Sequence, residues 1–466
     1  MLLSLILAAA APAPEPLPSL STAGPLSLGE VLASAEALFP SLVAARTDIE
    51  AANGELQSAT GSFDPSMRAR AWVVPLSGYP QTRVDAVVDV PTPLWGTSLF
   101  AGYRLGTGTI QEYYGERTTW SGGELRAGAS IPLLRNGPID RRRATLNRAE
   151  LSQQLASQGV EQQRIEVSRL ATTRYWDWVA AGRRREIAKT VLELAKQRDA
   201  QLLSRAQAGD VPLFERQDNQ RALVQRYALW VQAQRGVEQA ALELSLFVRD
   251  AEGPTPVDER RLPSALPEPD EALVPAFELE VAVQRRPEVQ RLIAQKQQQE
   301  IELRFLRNQL LPALDFTTTV SQELGRSPAP KYDSLGTTEF EFSVMLEVPL
   351  LYRGPLGRIR TTQAAANKLD AQLTLARQRV SVELGDALSA IRAAQSRVAL
   401  ARQEIDLATK LEEGERKRFE LGDSTLLFVN LREQASAEAS LREVDSLVDF
   451  HKAVAFLKAA ASMPTK

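Results

Sequence analysis

The chain has 466 residues, of which 44% are hydrophobic and 24% charged, so it can bury a large core and is not disordered. It has no cysteine and one histidine, so the residues needed for thiol chemistry, Cys/His metal sites or a Ser-His-Asp triad are absent or nearly so. We interpret the single histidine, His451, as a solvated side chain near the C-terminus. The formal net charge of -3 gives no reason to expect nucleic acid as a partner.

The N-terminal stretch MLLSLILAAAAPAPEPLPSL passes from an apolar run into alanines and then prolines. This pattern predicts a secretory signal peptide over about residues 1–13, although no Lys or Arg precedes the apolar run. After it, no run of eighteen apolar residues occurs, which excludes a membrane-spanning helix. Any insertion into a membrane would therefore use strands.

One stretch of the sequence occurs twice. Ile131–Ala144, IPLLRNGPIDRRRA, returns 217 positions later as Val348–Thr361, VPLLYRGPLGRIRT, and half of the fourteen positions are identical. Two pairs of prolines, each twenty-five residues apart, bracket similar amphipathic segments: Pro40 with Pro65, and Pro287 with Pro312. The order of these features is the same in both halves, which predicts an internal duplication.

The duplication predicts two repeats and a connector. We expect the first repeat over residues 26–250, a Pro-rich connector over 251–275 and the second repeat over 276–461. The offset between the copies falls from 247 at the prolines to 217 at the repeated stretch, so the first copy has about thirty extra residues in its strand region. We place this surplus near residues 74–105, where it would lengthen a surface loop or the strands.

Two very long helices are predicted by the absence of proline from residues 139–211 and 356–463. The first would be roughly 100 Å long at about 1.5 Å per residue. Glycines in the turns AGDVP, 208–212, and LGDST, 421–425, would end these helices, and the chain would return as a second helix each time. The sequence therefore predicts two antiparallel helical hairpins, over residues 139–248 and 356–461.

The second long helix has a heptad seam in steps of four and three residues. Its members are Val380, Leu384, Ala387, Ile391, Ala394, Val398, Ala401, Ile405 and Ala408. A period near 3.5 predicts helical partners that wind around one another. Taken alone, the helices also fit a plain structural coiled coil.

Between the helical segments the hydrophobic period changes to two. In FEFSVMLEVP, residues 340–349, apolar residues alternate with Glu, Ser and Met, and similar alternation occurs in ELRAGASIP, residues 124–132. We predict strands within about 63–131 of the first copy and 313–349 of the second, each about long enough to cross a bilayer as a tilted strand. Two strands from each copy make four per chain, too few to close a barrel, so a barrel would be shared among chains.

These features together resemble the TolC-like outer-membrane efflux protein family. The resemblance covers about residues 26–461. It rests on the duplication, on the order of the elements and on three sequence segments: QLLPAL, VPLLYRGPLGRIR and RFELGDSTLLFVNLREQ. It implies a mostly α-helical fold with a β-barrel part, in which a homotrimer shares one twelve-stranded transmembrane β-barrel that continues as a long periplasmic α-helical barrel. The protein would lie in the outer membrane, contact its lipid and extend into the periplasm.

The resemblance also implies roles for three groups of residues. The repeated stretches would be strand-to-helix junctions, and their arginines would pair with acidic neighbours or lipid headgroups: Gly137, Pro138, Arg141, Gly354, Pro355 and Arg358. The two turns would be periplasmic tips that dock on a membrane-fusion adaptor: Gly209, Asp210, Val211, Gly422, Asp423 and Ser424. Some relatives narrow the pore with an aspartate pair after the second tip, where this chain has LLFVNLRE. The candidates for a pore constriction here are Glu215, Asp218 and Glu433.

The leading functional hypothesis is a passive outer-membrane exit duct of a tripartite efflux pump or type I secretion system. Its partners would be the adaptor and an inner-membrane transporter, with no catalytic residue, cofactor or bound metal. The alternative is an exported coiled-coil scaffold with a small β domain and no channel activity. That alternative leaves the length of the helices unexplained, and an enzyme that uses carboxylates alone has no motif in its favour.

Overall fold

A computed structural model describes residues 24–108, 118–209, 212–327 and 337–463 of the chain. The predicted signal peptide at residues 1–13 lies outside these ranges. The described part is mostly helical and contains one antiparallel sheet, which confirms the fold class predicted from the sequence at this level.

The described part has eight α-helices. They are α1 Leu28–Leu38, α2 Pro40–Thr60, α3 Arg141–Ala208, α4 Leu213–Ser245, α5 Leu279–Arg285, α6 Pro287–Asn308, α7 Arg353–Glu420 and α8 Leu426–Ala460. Helices α3 and α7 have 68 residues each, as the proline-free segments predict. Pro40 and Pro287 occupy first helical positions, where a missing N–H leaves no hydrogen bond unmade.

Among the described residues, six strands form a single sheet in sequence order, and every neighbouring pair is antiparallel. They are β1 Ser66–Val74, β2 Gln81–Pro91, β3 Ser98–Gly108, β4 Glu124–Pro132, β5 Ala313–Glu323 and β6 Thr338–Glu347. The second copy contributes two strands, as predicted. The first copy contributes four.

The prediction of two strands from each copy is therefore wrong for the first copy. Its surplus residues form the hairpin β2–β3, which lies between β1 and β4 in the sheet. By their places in the chain, β1 and β4 correspond to β5 and β6 of the second copy. Gly, Thr and Pro interrupt the alternation of polar and apolar residues in β2 and β3. The hydrophobic period alone therefore could not decide whether the surplus residues lengthen a surface loop or the strands.

The chain divides into two compact units. In one of them, all the long elements are α-helices. The described residues of this helical unit are 24–46, 159–209, 212–287 and 377–463. One apolar cluster surrounds the fully buried Trp178, and another surrounds Leu384 and Phe450. Burial of a large apolar side chain contributes roughly 1.5–3 kcal/mol, so these clusters are the main source of its stability. The first seven positions of the predicted heptad seam, Val380 to Ala401, are buried, which confirms the seam.

The connector predicted from its prolines packs closely on the helical unit. Leu262 lies so near Gly182 that a Cβ on the glycine would be 2.0 Å from a leucine methyl. The Nε2 atom of His451 lies 3.0 Å from the carbonyl oxygen of Pro267. The His451 ring stacks on Trp176 at 4.4 Å and is only 5% exposed, so its interpretation as a solvated side chain is wrong. Burial lowers the pKa of His451 below its ordinary value of 6.5.

The second unit comprises Thr47–Gln158 and Glu288–Ala376 and contains the sheet. Its helical part has a small core made by Ile139, Ala144, Phe305 and Leu306. The two outer strands of the sheet, β1 and β6, are exposed along nearly their whole length. The side chains on both faces therefore define what the sheet can contact.

No single helix among the described residues is long and apolar enough to cross a membrane. Only Leu28–Leu38 and Pro40–Phe63 taken together, with a bend of 42° between them, meet the length and composition of a span.

Candidate functional site

The sheet separates its side chains into a polar and an apolar face. Residues directly opposite each other in an antiparallel pair point to the same side, so the register across the six strands defines both faces. The polar face includes Arg68, Arg70, Asp85, Asp89, Arg104, Glu124, Arg126, Thr317, Thr319, Ser321, Glu341 and Glu347. The apolar face includes Met67, Val73, Val84, Val88, Leu99, Leu125, Val320, Phe340, Phe342, Val344 and Leu346.

The apolar face is exposed at its edges to an unusual degree. Met67 on β1 is 71% exposed, and Phe340 and Phe342 on β6 are 69% and 67% exposed. Apolar patches of this extent indicate contact with another protein or with lipid. On the opposite face, Arg126 pairs with Asp85 at 2.7 Å across the intervening strand β3, so charges there are compensated within the sheet.

The first junction, residues 132–143, is stabilised by hydrogen bonds to its own backbone. Arg143 donates from Nη2 to the carbonyl oxygens of Asn136 and Gly137, both at 2.8 Å, and from Nη1 to that of Pro138 at 3.2 Å. Its Nε lies 3.0 Å from Oδ1 of Asp140. The same oxygen accepts the backbone N–H of Arg143 at 2.9 Å and so caps the start of α3. One arginine thus fixes the bend around Gly137 and Pro138.

Helix α6 holds the same junction from the other side. The backbone N–H of Asn136, which has a φ of 70°, donates to Asn308 Oδ1 at 2.7 Å, and Gln309 Nε2 donates to Asn136 Oδ1 at 2.8 Å. Arg141 lies 3.5 Å from Glu302. The arginines of the first junction therefore have acidic partners, one of the two environments that the sequence predicted.

The turn between β2 and β3, residues 92–97, packs against this junction. Trp95 and Gly96 both have positive φ, at 52° and 66°. A Cβ on Gly96 would lie 2.4 Å from the carbonyl oxygen of Asn136, and a Cβ on Gly137 would lie 2.7 Å from Nε1 of Trp95. Neither glycine has room for a side chain, so the additional hairpin is part of the first junction.

The second junction, residues 348–360, is mostly exposed, although Ile359 packs against the small core that contains Ile139 and Phe305. Helix α7 begins one residue before Gly354, and a Cβ on Gly354 would meet no described atom within 4 Å. Pro355 lies in the first turn, and Arg358 is exposed to solvent. Leu350 and Leu351 are 92% and 72% exposed. The repeated sequence thus has two environments, one enclosed by its own chain and one open.

The two turns that end α3 and α7 have the same backbone geometry. Gly209 and Gly422 each have a φ of 84°, the left-handed conformation that ends a helix. After the second, the Asp423 N–H donates to the carbonyl oxygen of Arg418 at 2.8 Å, as in a Schellman motif. Both glycines and Asp423 are exposed, whereas Asp210 and Val211 lie outside the described residues. The hydroxyl of Ser424 donates to the carboxylate of Glu415, so this tip residue is held by α7.

A buried ion cluster lies two helical turns after the second tip. The side chain of Glu433 is 1% exposed and contacts three arginines: Arg198 at Oε1, Arg226 at 2.9 Å and Arg416 at 3.5 Å. Asn430 Oδ1 accepts from Arg198 and Arg226 at 2.8 and 3.2 Å. Burial, with the neighbouring arginines, lowers the pKa of Arg198 to about 10. The cluster joins α3, α4, α7 and α8.

This cluster corrects one predicted role. Glu433 was a candidate for a pore constriction, but its carboxylate is enclosed by arginines of its own chain and is not an exposed acidic group. Sequence reasoning missed its partners because Arg198, Arg226 and Arg416 lie on three other helices. Glu215 and Asp218 are half-buried near the start of α4, and Asp218 accepts from Arg221 at 3.3 Å. These two residues stay candidates.

Comparisons with known proteins agree with this geometry. The model of the family described as outer membrane efflux protein matches residues 279–461. A search of curated protein sequences gives no match. This family match confirms the resemblance to TolC-like proteins that the sequence indicated. It also confirms the expected location in the outer membrane with an extension into the periplasm.

Solved structures share the fold over nearly the whole chain. The outer membrane protein VceC from Vibrio cholerae is 14% identical with a TM-score of 0.65, over 94% of this chain and 97% of that one. The MtrE outer membrane channel of Neisseria gonorrhoeae, in its open state, is 16% identical with a TM-score of 0.64, over 94% and 89%. CusC, described in terms of transmembrane channel formation, is 14% identical with a TM-score of 0.65, over 97% and 98%. At these identities the likeness establishes the fold.

Proposed function

We propose, from the premise that residues 279–461 belong to the outer membrane efflux protein family, that three copies of this chain form an outer-membrane exit duct. The duct would serve a tripartite efflux pump or a type I secretion system. It would perform no chemistry, because substrate would pass through a water-filled lumen while a partner transporter supplies the energy.

The observation that supports this function best is the two-faced sheet. Its apolar face extends across all six strands and includes Met67, Phe340 and Phe342, all more than two-thirds exposed. Its polar face has paired charges such as Arg126 with Asp85, an arrangement that suits a water-filled lumen. Lipid outside and water inside give both faces a solvent that matches them.

The open sheet supports a barrel that is shared among chains. A strand edge in a bilayer must pair, since no water is there to satisfy its N–H and C=O groups. Six strands are fewer than the eight or so that the smallest barrels need, so one chain is not enough. The long hairpins, with tips at residues 209 and 422, would form a periplasmic helical barrel.

The two tips would dock on a membrane-fusion adaptor, which connects the duct to an inner-membrane transporter. Gly209 and Gly422 share one backbone geometry, so the tips would present similar exposed backbone. Asp423 and Ser424 would contribute to this surface, together with Asp210 and Val211. Glu215 and Asp218, just after the first tip, are the candidates for the constriction.

The test combines membrane fractionation, mass and conductance of the full chain. We expect the protein in outer-membrane fractions, a detergent-extracted particle of three chains by light scattering, and stepwise ion conductance in planar lipid bilayers. A soluble dimer or monomer that needs no detergent would contradict the duct and favour the exported coiled-coil scaffold. An outer-membrane trimer without conductance would leave the location intact and contradict the open pore.

A further inference from the structure

The sheet of one chain ends at β1 on one side and at β6 on the other, and no strand of the described chain pairs with either outer edge. We propose that β6 of each copy pairs antiparallel with β1 of the next, so that three chains with six strands each close a barrel of eighteen strands. This inference rests on the proposed function, and it departs from the four strands per chain that the resemblance implies.

The inserted hairpin β2–β3 belongs to the wall of the barrel. Nine residue pairs join β1 to β2, from Ser66 with Asp89 to Val74 with Gln81, and seven join β3 to β4. The apolar face continues through the hairpin at Val84, Val88 and Leu99. Its turn packs on the first junction, where Gly96 and Gly137 exclude any side chain. A hairpin that lay outside the barrel would have none of these features.

The direction of the strands permits closure between identical copies. All five pairings within a chain are antiparallel, so β1 and the sixth strand, β6, run in opposite directions. Pairing β6 with β1 of the next copy therefore continues the antiparallel pattern. It also removes every free edge, which a bilayer requires.

The strand lengths select a register for this intermolecular seam. A row of opposite residues that starts at Ser66 on β1 ends at Glu341 on β6. Full overlap of β1 of the next copy with β6 places Ser66 opposite Glu347 and Val74 opposite Glu339. In this overlap Glu341, where the row ends, lies opposite Trp72 of the next copy rather than opposite Ser66. The shift is six residues per chain and preserves the polar and apolar faces.

Three such shifts give a barrel whose shear equals its strand number. A barrel with equal shear and strand number has strands tilted by about 36°. This value lies inside the 35–45° typical of transmembrane barrels. The six-stranded chain thus closes with ordinary strand geometry.

Charges at the two edges are complementary in this register. The polar face of β1 has Arg68 and Arg70, whereas that of β6 has Glu341 and Glu347. Arg68 would lie diagonally across the seam from Glu347, and Arg70 diagonally across from Glu341. Diagonal neighbours about 7–8 Å apart are within reach of side chains of this length. A second copy of this chain is therefore the occupant that fits both edges.

Disulfide cross-linking tests the seam, because the natural chain has no cysteine. Ala69→Cys with Val344→Cys, on the apolar face, and Arg70→Cys with Ser343→Cys, on the polar face, sample both kinds of antiparallel pair. After oxidation of purified outer membranes, we expect covalent species of three chains on non-reducing gels. The matched control, Ala69→Cys with Ala86→Cys, joins opposite residues of β1 and β2 and should stay a single chain when cross-linked.

Each outcome decides the proposal. Three-chain species from a seam pair, with an intrachain disulfide in the control and eighteen strands in an electron cryomicroscopy map of the same particle, would support it. Cross-linked species that stop at two chains, or a map with twelve strands and β2–β3 outside the wall, would overturn it while the channel function stands. Failure of both seam pairs in a membrane particle whose control forms would overturn it too. A protein found free of membranes would instead contradict the proposed function.

Discussion

The two copies of the repeated sequence differ in where they place their buried polar groups. At the first junction Arg143 is bonded to three carbonyl oxygens and to Asp140, whereas Arg360, its counterpart in the second copy, is exposed. At one matched pair of positions near the tips, the difference has the opposite sense. Glu433 of the second copy is buried among arginines, and its counterpart Gln220 in the first copy is exposed.

This difference teaches that the two copies share the order of their elements and not the local contacts that hold them. Both junctions turn a strand into a long helix, and both tips use a glycine at a φ of 84°. The stabilising contacts depend on what surrounds each copy, such as the inserted hairpin at the first junction. Matched substitutions in the two copies can therefore measure the asymmetry directly.

The largest expected effect is at the tip cluster. Glu433→Ala would leave Arg198 and Arg226 buried without their carboxylate, which costs about 3–5 kcal/mol of unfolding free energy. Gln220→Ala, at the matched position, should change the free energy by less than about 0.5 kcal/mol. The unfolding midpoint in detergent, followed by tryptophan fluorescence, compares the two. Equal effects would show that the cluster does not stabilise the helices.

The next effect is at the junctions. Arg143→Ala removes several hydrogen bonds from a charged donor, each worth about 1.5–3 kcal/mol, and we expect a loss of about 2–3 kcal/mol. Arg360→Ala should be nearly neutral in the detergent-solubilised protein. The same unfolding midpoint provides the measurement. A large effect of Arg360→Ala would instead indicate that a neighbouring chain covers the second junction.

Alanine at one glycine of each junction should have effects of opposite sign. Gly137→Ala would bring a Cβ within 2.7 Å of Trp95 Nε1 and 2.9 Å of the Pro132 carbonyl oxygen, which costs about 1–3 kcal/mol. Gly357→Ala, near the start of α7 at the second junction, has open space in a helix, where alanine is favoured by roughly 0.5–1 kcal/mol. Melting temperatures of the two variants should therefore move in opposite directions. A shared direction would refute the asymmetry.

The smallest effect concerns pH and His451. Burial lowers its pKa in the folded chain below the ordinary 6.5, so between these two values the unfolded chain binds more protons and stability rises with pH. As the pH falls below about 6.5, the natural chain should lose stability relative to His451→Gln, and the difference should be constant above about pH 7.5. Its first-copy counterpart, Glu238, is exposed, so Glu238→Gln serves as the control. A pH-independent difference would contradict the burial.

Regular features of the chain were predictable from sequence, because period and proline placement act locally. The 68-residue helices, the heptad seam around Leu384 and Ile391, and the strand β6 all follow from repeats of 3.5 or 2 residues. The glycine turns follow from the conformational freedom that ends a helix.

What the sequence could not predict depends on residues distant along the chain. Arg143 reads as one of three consecutive arginines, and nothing local indicates that it closes on Asn136 and Pro138. Glu433 reads as a surface acid until Arg198, 235 residues away, is placed beside it. The hairpin β2–β3 was hidden because glycine and proline interrupt its alternation, and only its pairing with β1 and β4 reveals it.

The enclosed first junction has a consequence for the order of assembly. All its hydrogen bonds come from one chain, so it can form in a monomer at a rate that does not depend on protein concentration. Under the proposed assembly, Leu350 and Leu351 at the second junction stay exposed until another copy arrives, which makes that step bimolecular and concentration-dependent. Until then each chain exposes an apolar surface that can aggregate, and rapid association with further copies of the chain would protect it from aggregation.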